Sequence, residues 1–262
     1  DELISQIAAG EVIERPASVL RELLDNALDA GARQITVRLQ AGGVRSLVVE
    51  DDGCGIPPEE LPLAFKRHAT SKISSLHDLE SVATMGFRGE ALAAINSVAA
   101  CSIASRPADA AQAHLMDGQT GEISITSRAQ GTTVEVKELF FSVPARRKFL
   151  KADNTELAHC IEAVRRHALV RPAVGFAIWH DGKLVEQWRA GSLAGCVAAV
   201  LGQDFMVQAL PIEYELASDF GGIRVHGFAG LPDSARSRAD QQYSFVNGRF
   251  VRDKTIAHAV RN

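Results

Sequence analysis

PASVLRELLDNALDA, residues 16–30, is the stretch from which the fold of this chain is read. Val19, Leu20, Leu23, Leu24, Ala27 and Leu28 recur at spacings of three and four, and Gly31 follows as a stop, which predicts a helix from Pro16 to Ala30. Glu22 and Asn26, four residues apart, are neighbours on the opposite face, with Asp25 and Asp29 beside them. The helix thus carries an apolar stripe on one side and three acids and a carboxamide on the other.

The sheet is legible on both sides of that helix. Gln34 to Gln40 and Val44 to Glu50 alternate apolar and polar residues around Gly42-Gly43, which predicts a β-hairpin ending at Asp51. A second helix is expected from Pro57 to His68. Next comes a Ser-rich stretch, Thr70-Ser71-Lys72-Ile73-Ser74-Ser75, whose lack of periodicity suits a lid. Ala91 to Val98 resumes helix. Strands are expected at Cys101 to Ser105, Glu122 to Thr126 and Thr133 to Val136, then a helix from Thr155 to Val170. A hairpin follows, in which Ala173 to Trp179 and Leu184 to Trp188 flank His180-Asp181-Gly182-Lys183, and Gly191 marks a boundary. Beyond it, a helix near Leu193 to Leu201 and strands at Leu210 to Glu215, Ile223 to Ala229 and Tyr243 to Val246 suggest a second unit, with a helical stretch at the end. The pattern predicts an α+β protein. An α/β sandwich, with a mixed β-sheet and helices on one face, occupies residues 1–191. A second, incomplete α/β domain occupies 192–262.

Composition narrows the function classes. The chain has 262 residues, of which 46% are hydrophobic and 23% charged, enough for a sizeable core. No apolar run approaches the roughly 18 residues that span a bilayer, and the first residues lack the pattern of a signal peptide, so no membrane partner or export is expected. Cys54, Cys101, Cys160 and Cys196 are widely spaced without a CxxC pair, which argues against a disulfide framework or structural zinc and for reduced thiols in the cytoplasm. A net charge of −4 offers nucleic acid no global attraction, so any such contact falls to local basic patches.

Three short segments carry chemistry. Nucleotide cleavage needs a water aimed and deprotonated, and Glu22 is the candidate general base. Asn26, one turn on, offers a carboxamide oxygen to Mg²⁺, a hard ion that takes oxygen ligands. The same ExxxN spacing also describes the solvated face of an ordinary helix. Asp51 is placed to accept a hydrogen bond from the exocyclic amine of a purine, while Gly53 and Gly55 let the backbone approach the base closely; Asp-Gly turns also occur with no ligand. Gly86-Phe87-Arg88-Gly89-Glu90 precedes a helix, where unpaired N–H groups favour phosphate; no GxxxxGK[ST] occurs, so the cradle is not a P-loop. Thr132, in Gly131-Thr132-Thr133, brings a hydroxyl into a strand. Arg146 and Arg147, and Arg249, Arg252 and Lys254, form two basic clusters suited to sequence-independent contact with DNA phosphates or simply to solvation. No HExxH and no GxSxG occurs, so zinc-hydrolase and α/β-hydrolase readings lack support.

Together the segments resemble a known family. Gln6 to Val12, the Glu22 to Ala32 helix, Asp51 to Ile56, Arg67 to Lys72, Gly86 to Leu92, Gly131 to Thr133, Pro144 to Leu150 and Val246 to Arg249 closely resemble, in order and spacing, the N-terminal region of the MutL family of DNA mismatch-repair ATPases. That family shares its ATPase fold with type II topoisomerase subunits, histidine kinases and a heat-shock chaperone. The resemblance implies an ATP site with Glu22 as base, Asn26 as Mg²⁺ ligand, Asp51 as adenine reader and Thr132 as its helper. Thr70, Ser71 and Lys72, with Gly86, Phe87, Arg88 and Gly89, become lid and phosphate contacts. It also implies a homodimer formed when ATP orders the lid, non-specific DNA binding, and coupling between the mismatch-recognition protein MutS and a downstream nuclease or helicase. The setting would be the cytoplasm, at the nucleoid during repair. The chain departs from the family pattern at three places: Asp25 stands in place of the more familiar Glu, Asp52 in place of Asn, and Ser142-Val143 in place of Asn-Thr. The resemblance also implies that a lysine reaching the γ-phosphate would lie beyond Asn262, so that hydrolysis by this chain alone is expected to be weak. A DNA-binding scaffold with a vestigial ATP site is the alternative from another class.

Overall fold

The computed structural model describes residues 13–66, 91–217, 222–231 and 242–261. The chain divides between Ala190 and Gly191 into two compact units.

The first unit is built on an eight-stranded mixed sheet. Its strands are β1 (Gln34–Gln40), β2 (Ser46–Asp51), β3 (Ala100–Arg106), β4 (Ala113–Asp117), β5 (Ile123–Thr126), β6 (Gly131–Lys137), β7 (Gly175–His180) and β8 (Lys183–Trp188), in the spatial order β5-β4-β3-β6-β2-β1-β7-β8. Every adjacent pair is antiparallel except β1 and β7, which run parallel. Two helices pack together against this sheet, α1 (Pro16–Asp29) and the longer Asp153–Val170, numbered α5 below. Alternation decides which face they cover. Leu47 and Val49 on β2, Val134 and Val136 on β6, and Cys101 and Ile103 on β3 all turn inward and are buried. On the other face, Arg38 and Glu50 approach to 3.9 Å across the ladder and stay half-exposed.

The helix of residues 16–30 forms as its pattern requires. Arg15 is extended, Pro16 takes the first helical position, and Gly31 follows at φ +76°. Val19, Leu20, Leu23, Leu24 and Ala27 are buried, whereas Glu22, Asp25 and Asn26 are only half-buried. Fully burying each leucine is worth about 1.5–3 kcal/mol, so the apolar stripe fixes the helix to the sheet and dictates which side the polar trio presents.

Elsewhere the structure departs from the pattern. The hairpin between β1 and β2 closes at Gln40 and Ser46; Ala41–Gly43 form a 3₁₀ turn, which takes Val44 out of the ladder. Gly42, at φ +64°, admits no side chain because a Cβ there would strike the Asp153 carbonyl. The expected helix over 57–68 is, within the described residues, one turn, α2 (Leu61–Ala64), preceded by a turn in which Glu60 and Leu61 both bond the Pro57 carbonyl. Prolines at 57, 58 and 62 supply no donors, which confines the helix. α3 (Ala91–Asn96), α4 (Pro144–Arg147) and α5 are the remaining helices among the described residues of the unit. Strand β4 and helix α4 carry no strong periodicity, so the sequence pattern does not predict them.

The second unit holds α6 (Leu193–Leu201), α7 (Gln203–Val207), the antiparallel pair β9 (Ala209–Leu216) and β10 (Ile223–Gly230), the hairpin β11 (Ser244–Val246) and β12 (Arg249–Val251), and α8 (Lys254–Arg261). Ser192 caps α6 by accepting from Gly195 N–H at 3.1 Å, and Asp253 caps α8 by accepting from Thr255 and Ile256. Asn247 and Gly248, both at positive φ, turn the β11–β12 hairpin. No helix among the described residues is long and apolar enough to cross a membrane.

Candidate nucleotide site

Three neighbouring strands become polar at the same end. Along β2 the inward residues run Leu47, Val49, Asp51; along β6 they run Val136, Val134, Thr132; along β3 they run Cys101, Ile103, Ser105. Antiparallel registry sets Asp51 opposite Thr132 and Thr132 opposite Ser105, so the three polar side chains form one row across the sheet. All three are buried, with Asp51 8% exposed, and a buried polar row is tolerated only where it is hydrogen-bonded.

It is thoroughly hydrogen-bonded. Asp51 Oδ1 accepts from Gly53 N–H at 2.8 Å and Thr132 N–H at 3.2 Å. Ser105 Oγ accepts from Ile56 N–H at 2.8 Å and donates to the Gly131 carbonyl at 3.0 Å. With that proton committed, the Thr132 hydroxyl donates across 2.9 Å to Ser105 Oγ and keeps its own lone pairs as acceptors. Burial pushes the Asp51 carboxyl above its ordinary range, while the Gly53 and Thr132 N–H groups and the Arg128 charge partly pull it back. Among the described residues no hydrogen bond reaches Asp51 Oδ2. The carboxylate is therefore fixed by one oxygen and offers the other.

The turn beyond Asp51 is braced from several sides. Asp52 Oδ1 accepts from Arg33 N–H at 2.7 Å and Gln34 N–H at 2.9 Å, tying the turn to the start of β1. Cys54 N–H bonds the Ala30 carbonyl at 2.9 Å, tying it to the end of α1. Arg128 Nη2 donates to the Asp51 carbonyl at 3.0 Å and Gln130 Nε2 to the Gly53 carbonyl at 3.2 Å. The glycines have physical reasons. A Cβ on Gly55, at φ +78°, would strike the Arg106 carbonyl, and one on Gly131, at φ +114°, would strike the Asp51 carbonyl. Ser105, Arg128 and Gln130 escaped sequence reasoning. Ser105 was discoverable, because Cys101-x-Ile103-x-Ser105 repeats on β3 the apolar-apolar-polar run of Leu47-x-Val49-x-Asp51.

Glu22 and Asn26 lie one turn apart on the polar side of α1, the helix whose C-terminal end contacts the Asp51 turn. Among the described residues no group of three or more His, Cys, Asp or Glu side chains is placed to hold a metal. A lone carboxamide oxygen suits a hard ion that takes its remaining ligands from phosphate and water, and Mg²⁺ is such an ion. Thr70, Ser71, Lys72, Gly86, Phe87, Arg88 and Gly89 lie outside the described residues.

The basic clusters lie in separate units, and Arg146 is half-buried where the other four residues are exposed. On α4, Arg146 stacks over the Phe140 ring at 6.0 Å and Arg147 is exposed. In the second unit Arg249, Arg252 and Lys254 are exposed, with Arg252 5.9 Å from the Phe250 ring centroid.

Comparison with known proteins agrees with the fold. Residues 11–143 match the family model described as histidine kinase-, DNA gyrase B- and HSP90-like ATPase, and residues 197–262 match that of the C-terminal domain of DNA mismatch repair proteins. The whole chain is 56% identical to a DNA mismatch repair protein MutL from Ralstonia nicotianae and 54% identical to one from Herminiimonas arsenicoxydans, covering 41% and 43% of those proteins. It thus spans about two fifths of the length of the curated relatives it matches. Among solved structures, the N-terminal domain of a DNA repair protein superposes with a TM-score of 0.81 at 27% identity, over 97% of this chain and 80% of that one. The Aquifex aeolicus MutL ATPase domain complexed with ADP gives a TM-score of 0.68 at 28% identity, over 95% of this chain and 88% of that one.

Proposed function

Because the chain belongs to the family of histidine kinase-, DNA gyrase B- and HSP90-like ATPases, we propose that it is the ATP-binding and ATP-hydrolysing region of a MutL-type DNA mismatch-repair protein. Asp51 Oδ2 accepts the exocyclic amine of adenine, and Thr132 and Ser105 line the same edge of the base. Glu22 takes the proton of the attacking water, and Asn26 lends its carboxamide oxygen to Mg²⁺. The bound ion, when present, supplies charge neutralisation along the phosphates. What supports this reading most is the polar row at the end of three apolar columns. A carboxylate held through one oxygen by two backbone donors has an orientation but, within the described chain, no hydrogen-bonded partner for its other oxygen.

ATP that binds a closed lid preferentially shifts the chain toward that state, and the closed state pairs with a second copy. Nucleotide state is thereby converted into assembly state. The dimer holds DNA non-specifically through Arg146, Arg147, Arg249, Arg252 and Lys254, and passes a signal from the mismatch-recognition protein MutS to a nuclease or helicase. This work is done in the cytoplasm, at the nucleoid.

Two substitutions test the assignment. Glu22→Ala retains ATP binding and loses turnover by about 10²–10⁴-fold, the usual contribution of a general base. Asn26→Ala weakens binding of ATP with Mg²⁺ but leaves metal-free binding unchanged. Isotherms with and without Mg²⁺, alongside phosphate release, read both. Equal loss of binding in the two variants would overturn the division of roles.

A further inference from the structure

The geometry points to His167 as the positioning residue that sets the rotation of the catalytic helix, a role that rests on the assignment of Glu22 and Asn26 above. His167 lies near the end of α5, and its ring is largely buried between that helix and α1. Nδ1 stands 2.7 Å from the Ala163 carbonyl of its own helix, and Nε2 stands 3.0 Å from Asp25 Oδ1 on α1. A carbonyl oxygen and a carboxylate oxygen both only accept, so the two contacts are hydrogen bonds when each ring nitrogen carries a proton, and the ring is thereby fixed in one orientation with Nε2–H toward the carboxylate. The bond to Asp25 is thus made by a side chain anchored at its other end, which converts a flexible contact into a strut between two helices.

Asp25 is where such a strut has most effect. It follows Glu22 by three residues and directly precedes Asn26, so on the helical wheel it is displaced by about 60° from Glu22 and about 100° from Asn26. The leucine stripe of α1 fixes the depth of the helix in the sandwich. Apolar contact is non-directional, however, and resists a small roll about the axis weakly. Side-chain tips stand about 5–6 Å from a helix axis, and a roll of about 15° therefore moves them by roughly 1.5 Å. A misplacement of about 1 Å at a reacting centre is enough to cost up to about 100-fold in rate. By holding Asp25, His167 sets the aim of Glu22 and Asn26 without touching nucleotide. Purine binding is set elsewhere, at Asp51 on the sheet, and does not depend on this roll.

That separation supplies the test. In His167→Ala, turnover at saturating ATP is expected to fall about tenfold, with KM for ATP within about threefold. The Mg²⁺ concentration needed for tight ATP binding is expected to rise. His167→Gln, which keeps a side-chain donor toward Asp25, recovers most of both. The double variant His167→Ala/Asp25→Ala is no worse than either single variant, because each removes the same contact. Glu22→Ala is measured in parallel: if it retains full turnover, the assignment of the base fails, whereas the Mg²⁺ dependence still reports on the strut. The inference is overturned if His167→Ala leaves both turnover and Mg²⁺ dependence unchanged. It is equally overturned if the only losses track a lowered Tm, if His167→Gln is as impaired as the alanine variant, or if the two single losses multiply.

Discussion

Replacing Asp51 by Asn separates the charge of this side chain from its shape. Two backbone donors, Gly53 N–H at 2.8 Å and Thr132 N–H at 3.2 Å, point at Oδ1. An asparagine keeps its carbonyl oxygen there, and its NH₂ then occupies the place of Oδ2. A hydrogen bond to a charged group contributes about 1.5–3 kcal/mol, and each 1.4 kcal/mol is a factor of ten, so ATP affinity is expected to fall about 10- to 150-fold. The NH₂ now meets the adenine amine donor to donor, but it complements the oxygen of a 6-oxopurine, so inosine triphosphate should gain affinity in the same variant. Stability should move the other way. Burial raises the Asp51 carboxyl above its ordinary value of 3.8. A raised value means that the group's contribution to stability is present below about that pH and is lost as pH rises through the folded-state value. At neutral pH the wild-type protein therefore carries a desolvated charge that asparagine removes, and Tm should hold or rise. For the same reason wild-type ATP affinity should decline on acidification at a milder pH than an ordinary carboxylate would give, and the variant should show no such decline. Isothermal titration with ATP and inosine triphosphate, together with a melting curve, measures all three. Unchanged ATP affinity with no gain for inosine triphosphate would refute the role given to Asp51.

Other substitutions probe the frame around this carboxylate. Ser105→Ala leaves the half-buried Ile56 N–H and the buried Gly131 carbonyl without their hydroxyl partner; the expected loss is about 1–3 kcal/mol in denaturant unfolding, with weaker ATP binding. Gly131→Ala drives a Cβ into the Asp51 carbonyl at a φ of +114°. Strain of about 1–3 kcal/mol and a lower Tm are expected, and a variant as stable as wild type would contradict the turn geometry. The thiols should divide by burial. Cys101 and Cys160 are buried and pushed up to about 12, and Cys196 is also raised, whereas Cys54 is exposed in the turn after Asp51. Iodoacetamide at neutral pH followed by peptide mass spectrometry should label Cys54 first, and Mg·ATP should slow that labelling. Alanine at Arg147 should lower the salt dependence of DNA binding by about 0.7–0.9 in the log–log slope if that side chain meets one phosphate.

Sequence pattern revealed the sandwich wherever apolar periodicity was strong. The stripe of α1, the alternation of β1 and β2, and the long run of α5 all read directly, because each buries one face and the burial is periodic. Helix 57–68 did not read well. Its apolar residues keep helical spacing, but three prolines remove the donors that a helix needs, and backbone chemistry overrides side-chain pattern. The candidate site is legible in the side chains that carry chemistry and silent in its frame. Glu22, Asn26, Asp51 and Thr132 stand out by the chemistry their side chains carry. Ser105, Arg128 and Gln130 act through registry and backbone carbonyls, and registry is not visible until strands are paired. Asp52, noted as a departure from the family pattern, fits because its carboxylate takes the Arg33 and Gln34 N–H groups. Asp25, the other acidic departure, fits because His167 meets it.

A crystal structure of the chain with Mg²⁺ and a non-hydrolysable ATP analogue tests the central claim most directly. The expected result is the adenine amine within hydrogen-bond distance of Asp51 Oδ2, the ion on the Asn26 carboxamide, and Glu22 facing the terminal phosphate. Nucleotide bound with its base away from the Asp51–Thr132–Ser105 row, or with Asn26 turned from the metal, would contradict it.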